Sequence, residues 1–323
     1  MLNDGGIKVG NAIVIDGHSD SSNLRVVTHI HSDHIIYLDK SLSIGLKLLA
    51  TPLTLEWLRE LNFIINENDH IALDYNNEVK IDNLKLKLIK AKHIPGSAQV
   101  EIEYEGTRLT YTSDFKKPGS ETPIIESDVL IMDAIYGRPE YVRDFDDLIE
   151  EILADFIKEL LTKGPVYVYG YYGKVQEVME LLRGYGVDAP YIVPLKHYKL
   201  CRVAERYGLK FGEYILAGTR EAEEVMRDEW FIYFAHISNS KVINNRGNHI
   251  ILSGWEFKYP LRRLNERSWL VAFSDHADFK GLVKYVKESK AKYVIVNRIR
   301  SVGAYEFANY INKKIGIKAM VMP

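Results

Sequence analysis

Four potential metal ligands occur within six residues of this chain, directly after a predicted strand. They are His29, His31, Asp33 and His34. The whole chain has ten histidines in 323 residues, so three of them beside an aspartate in one short segment are improbable as an accident. Imidazole and carboxylate in this mixture suit zinc, and manganese or iron less well. We therefore expect a fold that closes this segment around a metal ion.

The hydrophobic pattern changes character along the chain. Up to about residue 135, short β-rich runs are separated by turn signals and helices are few, with one predicted from Pro52 to Leu61. After Gly137, strand-like and helix-like segments alternate, which is typical of a parallel sheet. We predict an inserted α/β domain at 140–250 between two parts of one core, 1–139 and 251–323.

Composition excludes several classes of protein. The 42 basic and 44 acidic residues give a net charge of −2, so overall charge does not indicate nucleic-acid binding and any basic surface must be local. The single cysteine, Cys201, excludes a disulfide framework and a cysteine-rich zinc module. No segment approaches the roughly 18 apolar residues of a membrane span, and the N-terminus shows no signal peptide. We expect a cytoplasmic protein without membrane contact.

The pattern His-x-His-x-Asp-His resembles the signature of the metallo-β-lactamase superfamily. That resemblance implies an αββα sandwich with three further acidic or histidine positions, in order along the chain. Asp16 matches the structural aspartate, His93 the next ligand and Asp114 the aspartate that bridges two metals.

Later motifs resemble the β-CASP branch, whose members cut nucleic acids. Asp133 in MDAIYG and His276 in SDHADF match that branch, as does the inserted α/β domain. The segments 170–176 and 253–255 look most like the ligase-associated DNA exonucleases, a subfamily related to the Artemis type. The resemblance implies a metal-dependent nuclease that acts on DNA, in end processing or repair.

One position departs from the β-CASP pattern. Many members place a final metal-binding histidine after a late strand, where this chain has Asn297. The resemblance therefore implies one complete zinc site, and a second site that binds more weakly, with Mn²⁺ as an alternative metal. The first site comprises His29, His31, His93 and Asp114, and the second comprises Asp33, His34 and the shared Asp114.

Phosphodiester hydrolysis requires a nucleophile and an acid. Asp33 is expected to orient the attacking water, and His276 to protonate the leaving oxygen. Asp133 is expected to orient His276 and to favour its charged form. Taken alone, Asp133 could equally cap a loop, and His276 could bond locally at the start of a helix.

Candidate substrate contacts follow from the same motifs, although each could belong to a solvated loop instead. A helix begins near Lys174 after a strand, and helix N-termini favour phosphate oxygens. Arginines that follow the last parallel strand could grip phosphate. The set is Lys174, Ser253, Asn297, Arg298 and Arg300.

Three alternatives to a DNA nuclease stay open. The first is an RNA-processing β-CASP ribonuclease with RNA-processing partners, because such enzymes share nearly all of these residues. The second is a small-molecule esterase or thioesterase of the same superfamily, against which the inserted domain and the SDHADF segment count. The third is a non-catalytic subunit, which only Asn297 supports.

Overall fold

A computed structural model describes residues 1–241 and 246–323. Its strands, in chain order, are β1 Ile7–Val9, β2 Ile13–Ile15, β3 Leu24–Val26, β4 Lys47–Ala50, β5 His70–Ala72, β6 Glu78–Ile81, β7 Leu84–Lys90, β8 Ala98–Tyr104, β9 Thr107–Tyr111, β10 Val129–Met132, β11 Val166–Gly170, β12 Tyr191–Val193, β13 Tyr214–Leu216, β14 Ile232–His236, β15 Asn248–Leu252, β16 Leu261–Arg263, β17 Ser268–Val271, β18 Tyr293–Asn297 and β19 Lys318–Met322.

The α-helices are α1 Leu38–Ser43, α2 Pro52–Glu60, α3 Ile149–Leu161, α4 Lys174–Gly184, α5 Leu195–Arg206, α6 Arg220–Arg227, α7 Phe279–Glu288 and α8 Ala304–Tyr310. Helix α2 begins as its sequence predicts, because the Thr51 hydroxyl caps it and Pro52 takes the first helical position. Glu105 and Gly106 both have positive φ angles in the tight turn that joins β8 to β9.

The chain divides into two compact units. Unit 1 comprises Met1–Val142 and Asp275–Pro323, and unit 2 comprises Arg143–Ser274. These divisions differ from the predicted domain boundaries at 139/140 and 250/251, which stay predictions. Within the described ranges, no helix is both long enough and apolar enough to span a bilayer.

Unit 1 contains two sheets, in the orders β1-β2-β3-β4-β5 and β19-β18-β10-β9-β8-β7-β6. One apolar cluster joins them, in which Ile15 and Val26 from the first sheet pack with Leu88 and Val100 from the second. A second cluster packs β10 and β18 against α7 and α8. Helices α1 and α2 connect the parallel strands β3, β4 and β5. The predicted α/β sandwich is confirmed.

Unit 2 contains one sheet, in the order β13-β12-β14-β11-β15-β17-β16. Its strands pair in parallel, apart from β16, which pairs antiparallel with β17. Helices α3 to α6 alternate with its strands along the chain, as the sequence predicts.

Candidate metal centre

A buried carboxylate, Asp16, holds the loop that follows β3. Asp16 accepts hydrogen bonds from the backbone N–H and the hydroxyl of Thr28, at 2.8 and 2.6 Å. It also lies 2.8 Å from Nδ1 of His34. An imidazole that donates its Nδ1–H to a carboxylate has the lone pair of Nε2 available for a metal. Metal-binding histidines are usually oriented by such a hydrogen bond.

Four side chains from three separate segments meet in unit 1, so that one potential ligand atom of each lies within 4.8 Å of the others. His29 and His31 come from the loop after β3, His93 from the loop after β7, and Asp114 from the segment after β9. His93 Nε2 lies 3.0 Å from His31 Nδ1, and Asp114 Oδ2 lies 3.6 Å from His29 Nε2. The structure therefore brings the predicted first ligand set together.

A second group shares Asp114 with the first and adds Asp33 and His34. His34 Nε2 lies 3.2 Å from Asp114 Oδ2 and 3.4 Å from Asp33 Oδ2. The Asp33 side chain is 55% exposed, whereas His34 is buried. One carboxylate thus serves two adjoining groups, and the second is the more open to solvent.

Some buried ligand atoms in these groups make no hydrogen bond, which suits the groups to a metal ion. Among the described residues, His29 Nε2 and Asp114 Oδ1 are buried without a hydrogen-bond partner. His93 Nδ1 lies 2.9 Å from the backbone carbonyl of Asp275, so its N–H donates there and its Nε2 is left as a ligand atom. Buried polar atoms without partners are costly in a folded protein, and a cation would satisfy these.

The electrostatics of the cluster favour a cation. Burial, together with the neighbouring imidazoles, lowers the pKa of His29 well below its usual range and that of His31 to about 3. Both rings are therefore in the neutral form that binds metals. Burial also acts to lower the pKa of His34, but carboxylates led by Asp33 and Asp114 outweigh it and raise that pKa well above its usual range. Positive charge, whether proton or metal, is stabilised at that position.

The two candidate catalytic residues beyond the ligands also lie in unit 1. His276 Nδ1 lies 3.6 Å from Asp114 Oδ1, and its side chain is 23% exposed. Asp133 accepts a hydrogen bond from the Tyr111 hydroxyl, and burial raises its pKa to about 6. That Asp133 orients His276 stays a prediction.

Comparison with known proteins gives relatives across most of the chain. A family model described as "Zn-dependent metallo-hydrolase RNA specificity domain" matches residues 262–323. An "RNase J-like protein" of Methanocaldococcus jannaschii is 26% identical over 312 residues, which cover 77% of this chain and 72% of the relative. The DNA cross-link repair protein SNM1 of Arabidopsis thaliana is 30% identical over 163 residues, or 48% of this chain and 33% of that protein.

This chain belongs to the β-CASP nuclease branch of the metallo-β-lactamase superfamily. An "Uncharacterized protein in lig 3'region" of Acidianus ambivalens is 42% identical over 140 residues, which are 43% of this chain and 100% of that protein. A crystal structure of a protein of unknown function from Enterococcus faecalis matches 95% of this chain and 81% of its own length, with a TM-score of 0.65 and 14% identity. That likeness shows the fold. Like the metallo-hydrolase family that it matches, the chain uses a metal cofactor.

Two candidate substrate contacts of this β-CASP chain, Asn297 and Arg300, are buried and bond to the backbone. The Arg300 guanidinium is buried and donates to the backbone carbonyls of Asp16, Asp33 and Gly5, at 2.5 to 2.9 Å. Asn297 is fully buried, and its amide donates to the Gly5 carbonyl at 3.0 Å. Both buried side chains hold the loop after β3 and the N-terminal segment, which gives each a structural role, and their assignment to substrate stays a prediction.

Replacing Arg300 with Lys should destabilise the protein by about 2–4 kcal/mol, because a lysine cannot reach three separate carbonyls and leaves buried acceptors unmatched. We expect a lower melting temperature and less bound metal, measured by calorimetry and elemental analysis. Arg298→Lys, at the exposed neighbouring position, is the control. A higher KM for nucleic acid at unchanged stability would instead indicate that Arg300 contacts the substrate.

The other candidate contacts occupy varied positions. In unit 2, the buried Lys174 ammonium donates to the Phe273 carbonyl at 3.2 Å, and the Ser253 hydroxyl accepts from the backbone N–H of Trp255 at 3.1 Å. In unit 1, Arg298 is exposed. The substrate roles of Lys174, Ser253 and Arg298 stay predictions.

Two contributors to the site were missed from the sequence. Tyr111 ends β9 and is fully buried, and its hydroxyl contacts both Asp133 and Arg300, the latter at 3.1 Å. Asp275 supports His93 through its backbone carbonyl. Tyrosine in a strand usually indicates packing, and a backbone carbonyl carries no sequence signal, so only the position of Asp275 beside His276 could have indicated it.

Proposed function

We propose that this β-CASP nuclease is a zinc-dependent DNA exonuclease that acts in end processing or repair. The observation that carries the proposal is the pair of adjoining ligand groups that share Asp114, with the His276 imidazole 3.6 Å from the same carboxylate. A nucleophile, a charge stabiliser and an acid are the parts that phosphodiester hydrolysis needs, and all three are represented here.

Metal binding, orientation of the attacking water and protonation of the leaving oxygen would fall to different residues. His29, His31, His93 and Asp114 would hold a first zinc ion, and Asp33, His34 and Asp114 would hold a second more weakly, since Asn297 is occupied elsewhere. Bound zinc supplies water of lowered pKa and a positive charge beside the phosphate. The exposed Asp33 carboxylate orients the attacking water, and the partly exposed His276 protonates the leaving oxygen.

Of two relatives of this chain, one supports DNA as the substrate. One is a DNA cross-link repair protein, and the other, 42% identical to this chain, is named only by its place in the 3' region of lig. Proteins that repair or join DNA ends would then be the partners, in the cytoplasm. RNA is the second candidate, because the matched family model is described as an RNA specificity domain and the RNase J-like relative covers 77% of this chain.

A single comparison tests substrate and chemistry together. End-labelled single- and double-stranded DNA and RNA, each with a 5′-phosphate or a 5′-hydroxyl, would be incubated with zinc- or manganese-loaded protein. We expect DNA to be shortened from one end, and His31→Ala to remove the activity together with the metal. Faster cleavage of RNA would overturn the DNA assignment, and turnover of carboxylic esters alone would overturn the nuclease.

A further inference from the structure

The carboxyl ends of three adjacent parallel strands in unit 2, β12, β14 and β11, carry a cluster of histidine and tyrosine side chains. Helix α4 follows β11 and helix α5 follows β12, so two helix N-termini lie at this edge. The chain goes from β11 to β12, which lies beyond β14 in the sheet. From β14 it goes to β15, which lies beyond β11 in the opposite direction. The connections after these two neighbouring strands run in opposite directions, and ligands of open α/β sheets bind at the carboxyl ends of strands where the direction reverses.

The hydrogen bonds around His197, in the first turn of α5, fix its tautomer. Gln176, in the first turn of α4, uses its Oε1 to accept from the backbone N–H of Gly173 at 2.9 Å. The Gln176 side-chain NH₂ is 3.2 Å from His197 Nδ1 and can only donate, so Nδ1 is the acceptor. Burial, aided by His236, lowers the pKa of His197 to about 3, so the ring is neutral and its proton is on Nε2.

That Nε2–H group lacks an acceptor. His197 is 1% exposed, and within the part of the chain that the structure describes its Nε2 makes no hydrogen bond. A buried donor without a partner destabilises the folded protein. Such a cost is removed when a ligand oxygen occupies the position.

A second imidazole at the end of β14 presents the same donor. The backbone N–H of Ser238 donates to His236 Nδ1 at 3.3 Å, which places the proton of a neutral His236 on Nε2 as well. The ring of Tyr172 contacts both imidazoles, with its centroid 5.0 Å from that of His197 and 4.7 Å from that of His236. Tyr171, half-exposed, packs edge-on against His236 at 5.7 Å.

We propose that this edge of unit 2 is a phosphate-binding subsite, in which His197 and His236 donate from Nε2 to phosphoryl oxygens of a nucleotide unit. Two helix N-termini add favourable dipoles for an anion. The exposed face of Tyr171 is suited to stacking on a base. The anion site follows from unit 2 alone, whereas its assignment to a nucleic-acid strand rests on the proposed nuclease function.

Nuclear magnetic resonance of the full-length, metal-loaded protein labelled with ¹⁵N-histidine tests the subsite. Inorganic phosphate, deoxyadenosine monophosphate and an oligodeoxynucleotide with a 5′-hydroxyl would be titrated in separate experiments. We expect each to shift the His197 Nε2 signal, with the strand acting at the lowest concentration. Movement with inorganic phosphate alone would overturn the link to nucleic acid, and no movement with any ligand would overturn the subsite.

Two substitutions of His197 distinguish the loss of its Nε2–H donor from the loss of folding. His197→Asn keeps an acceptor for Gln176 but removes the Nε2–H, and should weaken phosphate binding at least about tenfold. His197→Gln places an amide donor near the original Nε2 and should bind within about threefold of wild type. Equal binding by His197→Asn and wild type would contradict the proposal.

A matched control exists in the same sheet. His249 is as buried as His197, but both of its ring nitrogens have partners, the Tyr169 hydroxyl at 3.0 Å and the Arg246 carbonyl at 3.2 Å. His249→Asn should leave phosphate binding unchanged, and thermal unfolding would establish that each variant is folded. Cleavage by wild type without phosphate binding would refute only the subsite, and binding without cleavage of any nucleic acid would refute only the nuclease.

Discussion

Replacing Asp114 with Asn should lower the rate of nucleic-acid cleavage by at least about 10³-fold. Asp114 belongs to both ligand groups, and its Oδ2 lies within 3.7 Å of a nitrogen of His29, His34 and His93. Burial acts to raise the pKa of Asp114, but the surrounding imidazoles, led by His276, hold it well below its usual range. The variant removes that negative charge, and with it several kcal/mol of metal-dependent stabilisation of the transition state.

The measurement is kcat on labelled DNA and RNA beside the metal content of the same samples. Asp20→Asn is the control, because the Asp20 side chain is 72% exposed in the same unit and pairs with His18 and Lys40. We expect the control to keep its metal and its rate. A fully metallated Asp114→Asn protein with the wild-type rate would refute the shared centre.

Replacing His276 with Gln should lower kcat on nucleic acid by about 10²–10⁴-fold, while the metal stays bound. His276 lies outside both ligand groups, yet its Nδ1 is 3.6 Å from the Asp114 carboxylate and its side chain reaches solvent. An acid is needed only when the leaving oxygen is a poor leaving group. Thymidine 5′-p-nitrophenyl phosphate releases p-nitrophenolate without protonation, so its hydrolysis should fall much less.

The ratio of the rate losses on nucleic acid and on the p-nitrophenyl ester identifies the role of His276. His70→Gln, at a half-buried histidine that contacts Arg59, should change neither rate. Equal losses on both substrates would mean that His276 positions the metal or the phosphate instead of donating a proton. A lower metal content in His276→Gln would likewise argue against a separate acid.

The sequence predicted the parts of the site that depend on residue type. Imidazoles and carboxylates are the donors that transition metals select, so the cluster from His29 to His34 indicated a metal by itself. That His93 and Asp114 join it was implied by the resemblance to the metallo-β-lactamase superfamily. Leu and Lys alternate in β7, the period of a half-buried strand, and Leu86 and Leu88 on one of its faces are fully buried.

Burial of polar side chains could not be predicted in the same way. Arg298 and Arg300 are two residues apart in one loop, yet the first is exposed and the second is enclosed by backbone carbonyls. Which of the two turns inward depends on the tertiary position of Gly5 and Asp33, far away in sequence. The same reason explains why Asn297 resembled a weak ligand and proved to be a partner of the N-terminal segment.

The order of these residues along the polypeptide has a consequence for biosynthesis. All six candidate ligands lie at or before Asp114, whereas His276 and Arg300 come after the whole of unit 2. A chain interrupted within unit 2, by a stalled ribosome or a protease, contains the six candidate ligands. It lacks His276, the proposed proton donor, and the Arg300 guanidinium that donates to the backbone of their loop. On the roles proposed above, such a fragment binds the ion but lacks the acid for the leaving oxygen, so cleavage requires the segment that follows unit 2.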